Sequence, residues 1–179
     1  MKHFDLKNAQ WPQDSEQIHA IRQQVFVVEQ GIDPALEWTG DDDQFRSILA
    51  LDADQKPIGT GRIKVSATTA TIGRMAVLKD WRGAGVGTAI LNRLIEIGKA
   101  DGAEEFELSA QVSAIDFYHK LGFIASGDVY LDADIEHRKI RYRSVTQHDL
   151  GPMSLVKKRN EFLWGVLVWR RTLIFTNRH

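Results

Sequence analysis

Between Arg82 and Thr88 the chain sets one guanidinium beside three glycines, Arg82-Gly83-Ala84-Gly85-Val86-Gly87-Thr88, where two periodicities meet. Upstream, Ile72 to Leu78 is a run of β-formers that leads into a polar turn, Lys79-Asp80-Trp81. Downstream, Val86, Ile90 and Leu94, with Leu91 and Ile95 beside them, recur at helical spacing. Strand, glycine loop and helix together build an anion site. The first amides of a helix lack intrahelical acceptors and lie at the positive end of its dipole. Glycine lets phosphate oxygens approach the backbone and accepts the positive φ angles that turn successive N–H groups inward. Arg82 at the mouth adds a fork for the same oxygens. The chemistry predicted is phosphate binding, and the plain alternative is a turn that permits tight strand-to-helix packing.

Spacing separates the known glycine loops. A nucleoside-triphosphate loop needs a lysine directly after its last glycine, and none follows Gly87 until Lys99. The dinucleotide fingerprint fails as well, because Thr88 or Ile90 stands where it wants its last small residue. Arg82-x-x-Gly85-x-Gly87 resembles instead the loop of the GNAT superfamily of acyl-CoA-dependent N-acetyltransferases. Arg22, Val25, Phe26, Val27, Glu29 and Gln30 resemble the opening helix of its ElaA/YjcF-like branch, and Gly73-Arg74-Met75-Ala76-Val77 and Ala110-Gln111 are similar to the same branch. Phe117-Tyr118-x-Lys120-Leu121-Gly122-Phe123 resembles the superfamily's C-terminal motif, and Asp132 to His137 the branch ending in which a histidine precedes the final strand. The likeness spans about residues 15 to 142.

The resemblance implies acetyl-CoA as co-substrate, no metal, and direct acetyl transfer to an amine in a ternary complex. The absence of cysteine agrees with a path that has no acyl-enzyme. Arg82, Gly83, Ala84, Gly85, Val86, Gly87 and Thr88 would hold the pyrophosphate. Met75, Ala76 and Val77 would line the thioester channel, with a backbone N–H near Val77 as oxyanion donor. Tyr118 would protonate the departing thiolate, since a phenol keeps its proton at neutral pH. The base that neutralises the ammonium stays open between Glu29, His137, water and an acid of the Asp41 to Asp43 cluster. That cluster also reads as an ordinary solvated loop. Glu37, Trp38, Gly40 and Asp42 match the family's acceptor-side pattern, but Thr39 replaces an acid, and a histidine common shortly afterwards is missing around Phe45-Arg46-Ser47. These departures give a second reading, a CoA-binding regulatory or interaction protein with a degenerate acceptor site.

The elements that must position these residues follow in order. Lys2 to Ala9 reads as a strand, and Asp14/Ser15 start a helix whose buried face is Ile18, Ile21, Val25 and Val28 and which ends near Gly31. Two hairpins join Phe45–Leu51, Ile58–Val65 and Ala70–Leu78. After the helix of the glycine loop come a strand from Glu105 to Ala110, a short helix from Ala114 to Leu121 capped by Ser113, and strands Phe123–Tyr130 and His137–Arg143. Consecutive hairpins exclude a strand-helix alternation, so the expected class is α+β: a mixed, mostly antiparallel central sheet flanked by helices and, by the resemblance, splayed at the acyl-CoA site.

Hydrophobic residues at 43% and charged residues at 26% describe an ordinary globular chain. With no cysteine, disulfides, thiolate metal sites and a thiol nucleophile are excluded. The net charge of −1 hides a basic end: from Arg138 onward ten Lys/Arg face only Asp149 and Glu161. Two units are expected, a GNAT-like domain over 1–143 and a basic extension over 144–179 whose Trp164 and Trp169 need burial, by docking, by exchange with a second subunit, or in a module cut short. A homodimer and an amine substrate, small-molecule or protein-borne, are the partners expected; nucleic acid is not. The N-terminal residues lack a signal-type apolar segment, and the longest apolar stretch, Phe162 to Trp169, is too short to cross a bilayer, so the expected location is cytoplasmic and away from membranes.

Overall fold

The computed structural model describes residues 2–144. The expectations for the basic extension, Trp164 and Trp169 among them, lie outside the described residues. Seven strands, β1 (Phe4–Ala9), β2 (Arg46–Asp52), β3 (Pro57–Ser66), β4 (Thr69–Val77), β5 (Glu105–Gln111), β6 (Ile124–Asp132) and β7 (Ile135–Arg143), form one sheet in the order β1-β2-β3-β4-β5-β7-β6. Every pairing is antiparallel except β4 with β5, which run parallel. That parallel contact covers only Thr69–Thr71 against Glu105–Glu107, so beyond Thr71 the two strands part.

Helices cover both faces of the sheet. On one face lies α3 (Val86–Ala100), whose Ile90, Leu91 and Leu94 pack with Ile48, Ile58, Ile63, Ile72 and Phe106. On the other lies α1 (Ser15–Arg22) with its π-helical continuation Gln23–Glu29, which buries Ile18, Ile21, Val25 and Phe26 against Leu49, Leu51 and Ala76. Alternation along β2 therefore sends Ile48 and Ala50 to one core and Leu49 and Leu51 to the other, which is why its sequence reads as a continuous apolar run. Two short helices, α2 (Pro34–Glu37) and α4 (Ile115–His119), complete the described part.

Four local expectations need correction. Val28 is 62% exposed, and Phe26 takes the buried place. The cause is the π-helical turn, in which the Gln30 amide donates to Val25 O (3.2 Å); the extra residue per turn rotates every later side chain out of the 3.6-residue phase. Asp14 precedes α1 but does not cap it, because its carboxylate accepts from Lys7 Nζ (2.7 Å) and the Gln10 amide (2.9 Å). Ser113 does not cap α4 either: a 3-10 turn, Val112–Ala114, comes first and the helix starts only at Ile115. The last hairpin turns at Ala133-Asp134, both at positive φ (50° and 61°), so His137 sits inside β7 instead of before it.

Candidate active site

The opening between β4 and β5 is widened by the shape of β4 itself. Arg62 pairs with Gly73 and Thr60 with Ala76, which leaves Arg74 and Met75 opposite Gly61 as a bulge. Arg74 takes φ 51°, a left-handed value that costs an arginine about 1–3 kcal/mol. Arg74 Nε lies 3.1 Å from Glu37 Oε2, an ion pair that opposes this cost. Burial among other guanidinium groups pulls the Arg74 pKa below its ordinary value, with Glu37 opposing.

Beyond the bulge, Val77 stands opposite Gly59, and the Leu78 amide donates to Ile58 O (2.9 Å). In an antiparallel pair of this kind the backbone groups of Val77 point away from β3 and into the gap. Its carbonyl accepts from Arg82 Nε (3.0 Å), and its N–H, on the same edge of the strand, has no partner in β3. At the helix end, Gly83 and Gly85 have φ 74° and 88°, and a Cβ at either would meet no protein atom within 4 Å. The glycines are thus required by backbone conformation, and the space over them is open. The first helical bond past the loop runs from the Ala89 amide to Gly85 O (3.0 Å), so the amides of Val86, Gly87 and Thr88 have no acceptor within the helix.

Met75, Val77, Arg82, Gly83, Gly85, Gly87, Thr88, Phe117 and Tyr118 line one cavity of about 440 Å³. Strand alternation places Ala76 differently from the expectation. Its side chain is buried on the α1 face beside Ile21 and Val25, so it does not line the channel. The Val86 side chain is also in the core, leaving only its amide for a ligand, and Ala84 is not among the lining residues. Tyr118, 6% exposed, stands edge-on to Phe117 (4.9 Å) and Phe123 (5.9 Å); burial pushes its phenol up to about 12.

Glu29 and Arg82 meet directly, which the sequence does not reveal. Arg82 Nη1 and Nη2 donate to Glu29 Oε1 and Oε2 at 2.6 and 2.7 Å. The Arg82 hydrogen bonds hold the Glu29 carboxyl below its usual range, and Glu29 in turn raises Arg82. A carboxylate with both oxygens in a guanidinium fork is a weak base. Next to it, Gln111 Nε2 donates to Gln30 Oε1 (2.9 Å) and ties the end of β5 to the end of the first helix. Gln111 pairs with His137, whose Nδ1 lies 2.8 Å from Ile135 O. A carbonyl only accepts, so Nδ1 is the donor of this bond and Nε2 makes no part of it.

Within the acidic cluster Asp42 leaves solvent, while Asp43 stays exposed. Asp42 is 92% buried at its side chain, with Oδ1 accepting from Arg22 Nη1 and Arg62 Nη1, both at 2.6 Å. Glu37, also buried, takes Arg22 Nε, and its carbonyl takes Arg22 Nη2 (3.1 Å). Burial opposes the ionisation of Asp42, but the two arginines prevail and keep its pKa below the ordinary value. Thr39, where an acid was expected, donates its hydroxyl to Asp41 Oδ1 (2.5 Å) and helps hold that carboxylate below its usual range.

Residues 6–123 match the Acetyltransferase (GNAT) family. The chain belongs to the GNAT acetyltransferases. It is 36% identical over 118 residues to the uncharacterized N-acetyltransferase YjcF of Bacillus subtilis (strain 168), covering 65% of this chain and 84% of that protein. To the uncharacterized protein YyaT of the same organism it is 33% identical over 137 residues, covering 75% and 92%. The crystal structure of Escherichia coli ElaA superposes with a TM-score of 0.69 at 26% identity, over 80% of this chain and 100% of that one. An acyl-CoA N-acyltransferase from Pseudomonas aeruginosa shares the fold, with a TM-score of 0.65 over 78% of this chain and 99% of its own at 24% identity. The ElaA/YjcF-like branch of this family is therefore where the chain falls, and the open, mostly antiparallel sheet is the GNAT fold. GNAT enzymes transfer acyl groups from acetyl-CoA.

Proposed function

We propose that the protein is an acetyl-CoA-dependent N-acetyltransferase that acetylates a primary amine by direct attack within a ternary complex. The observation that carries the reading is that anion-binding amides, an inward backbone donor at Val77 and a buried phenol at Tyr118 line or border a single cavity. The cradle fits a diphosphate, because its glycines carry no side chain and its helix-terminal amides lack partners. When bound there, acetyl-CoA supplies an acyl thioester. The amides of Gly83 to Thr88 and the Arg82 guanidinium, released from Glu29, hold the phosphate end. The Val77 N–H stabilises negative charge on the carbonyl oxygen, and Tyr118 gives its proton to the leaving sulfur. With Glu29 engaged by Arg82, we assign the amine's proton to His137 Nε2 or to bulk water. Glu29 is then a competitor of the phosphates for the Arg82 fork.

Parallel melting curves with acetyl-CoA, CoA, NAD and ATP test the cofactor assignment, since a ligand that binds only the folded state raises its stability. A rise with acetyl-CoA and CoA alone is expected, followed by turnover on a panel of amines. A rise with NAD or ATP instead, or with none of the four, would overturn the reading.

A further inference from the structure

A second cavity, of about 510 Å³, is lined by Trp11, His19, Trp38, Gly40, Asp42 and Asp43. It shares no lining residue with the acyl cleft. It also lies toward the other end of the first helix: Glu29 reaches Arg82 at the cleft, and His19 is ten residues earlier, roughly 15 Å at the helical rise. The volume is that of a small-molecule site.

Its chemistry is one-sided. Asp42 is buried, and both of its guanidinium partners use Oδ1. Among the described residues Oδ2 accepts no hydrogen bond; the His19 Nε2 atom is 3.7 Å away, beyond bonding distance. That oxygen is therefore open to accept a donor from a ligand in the cavity that Asp42 lines. The surrounding charges show which kind. Arg22, Arg62 and Arg74 are balanced by Glu37, Asp41 and Asp42, while the nearby Lys64 bonds Gln44 Oε1 (2.7 Å). Asp43 has no ion-pair partner among the described residues, and no lysine or arginine lines the cavity beside Asp42 and Asp43. The other walls are aromatic: the His19 ring lies 5.5 Å from Trp11 and 4.7 Å from Trp38. Carboxylates beside indole rings recognise an organic cation.

We propose that this cavity is a second ligand site that takes a small organic amine, its ammonium group donating to Asp42 Oδ2 and its carbon body lying against Trp11 and Trp38. The site is independent of the acyl cleft, so its occupancy leaves acetyl-CoA binding in place.

The test is a titration of the full chain, carrying ¹⁵N in its tryptophan indoles, with n-butylammonium chloride and with n-butanol at constant ionic strength. The indole N–H signals of Trp11 and Trp38 are expected to move saturably with the ammonium and not with the neutral isostere, while that of Trp81, beside the glycine loop, stays. Because Asp42 also anchors Arg22 and Arg62, two surface variants carry the mutational arm. Trp11→Ala should weaken binding about two- to fivefold and Asp43→Asn about threefold, both keeping the wild-type melting shift with acetyl-CoA. Butanol acting like the ammonium, shifts that grow without saturating, affinity unchanged in both variants, or shifts centred on Trp81 would each overturn the proposal. The last would place the amine in the acyl cleft.

Discussion

Glu29→Gln should tighten CoA binding. In the ligand-free protein all three nitrogens of the Arg82 guanidinium are engaged, Nε by Val77 O and Nη1 and Nη2 by Glu29. A diphosphate that uses this fork must displace the carboxylate. The Glu29 and Arg82 side chains are about a third and two-fifths exposed, so solvent screens the pair and its worth is about 1 kcal/mol at most. The carboxylate also repels the incoming ligand: two phosphate charges about 6 Å away in water, screened over a Debye length of about 8 Å, add roughly 0.7 kcal/mol. Together these predict about tenfold tighter CoA binding by Glu29→Gln in titration calorimetry, with the gain shrinking as salt is raised. Acid should mimic the mutation. The folded-state pKa of Glu29 is depressed below 4.5, so the stability the pair contributes is complete above that value and lost as pH falls through the folded one. The stability difference between wild type and variant should therefore vanish in that acidic window. Unchanged or weaker CoA binding by Glu29→Gln would refute the competition and mean that Glu29 holds Arg82 ready for the phosphate.

Other consequences can be checked separately. Tyr118→Phe should lower kcat about 10²-fold while CoA affinity stays near wild type; equal loss of both would remove the phenol from the proton path. Because burial raises the Tyr118 pKa from 10 to about 12, the folded state resists its ionisation, and stability should be full below pH 10 and fall as pH rises from there toward 12. Alkaline unfolding of Tyr118→Phe should lack that component, about 2–3 kcal/mol, and an identical alkaline profile would contradict the burial argument. Arg22→Met takes one of two arginine partners from each of the buried carboxylates Glu37 and Asp42 and should cost about 3–5 kcal/mol in urea unfolding, against under 1 kcal/mol if water reaches them. His137→Gln should lower kcat and leave CoA binding intact; an unchanged kcat would give the proton to water alone.

What could be read along the chain was whatever short segments encode by themselves. The glycine loop, the helix behind it and the hairpins before it depend on local periodicity and turn chemistry, and the structure places them within a residue or two of the expected bounds. Where the reading slipped, the cause lies across the chain. Val28 left the buried face because one π-helical turn changes the phase, and no single residue marks that turn. Ala76 went to the α1 core because strand alternation assigns neighbours to opposite faces, and a bulge at Arg74 and Met75 sets the phase. Glu29 and Arg82 are 53 residues apart, and nothing in either segment announces that they form a pair.

The buried charges follow the same logic and explain why the loop of acids read as solvent. Asp42 is tolerable inside only because Arg22 comes from α1 and Arg62 from β3 to meet it. The same cluster supplies the Glu37 carboxylate that lies against Arg74 in its left-handed bulge, and that bulge turns β4 away from β5. A network that reads as a solvated loop in the sequence thus reaches the bulge of the strand that carries the cleft residues Met75 and Val77. It follows that Glu37→Gln, which keeps the shape and removes the charge, should weaken CoA binding without touching the cavity's lining. Unaltered affinity in a folded Glu37→Gln protein would mean that the bulge is held by the sheet alone.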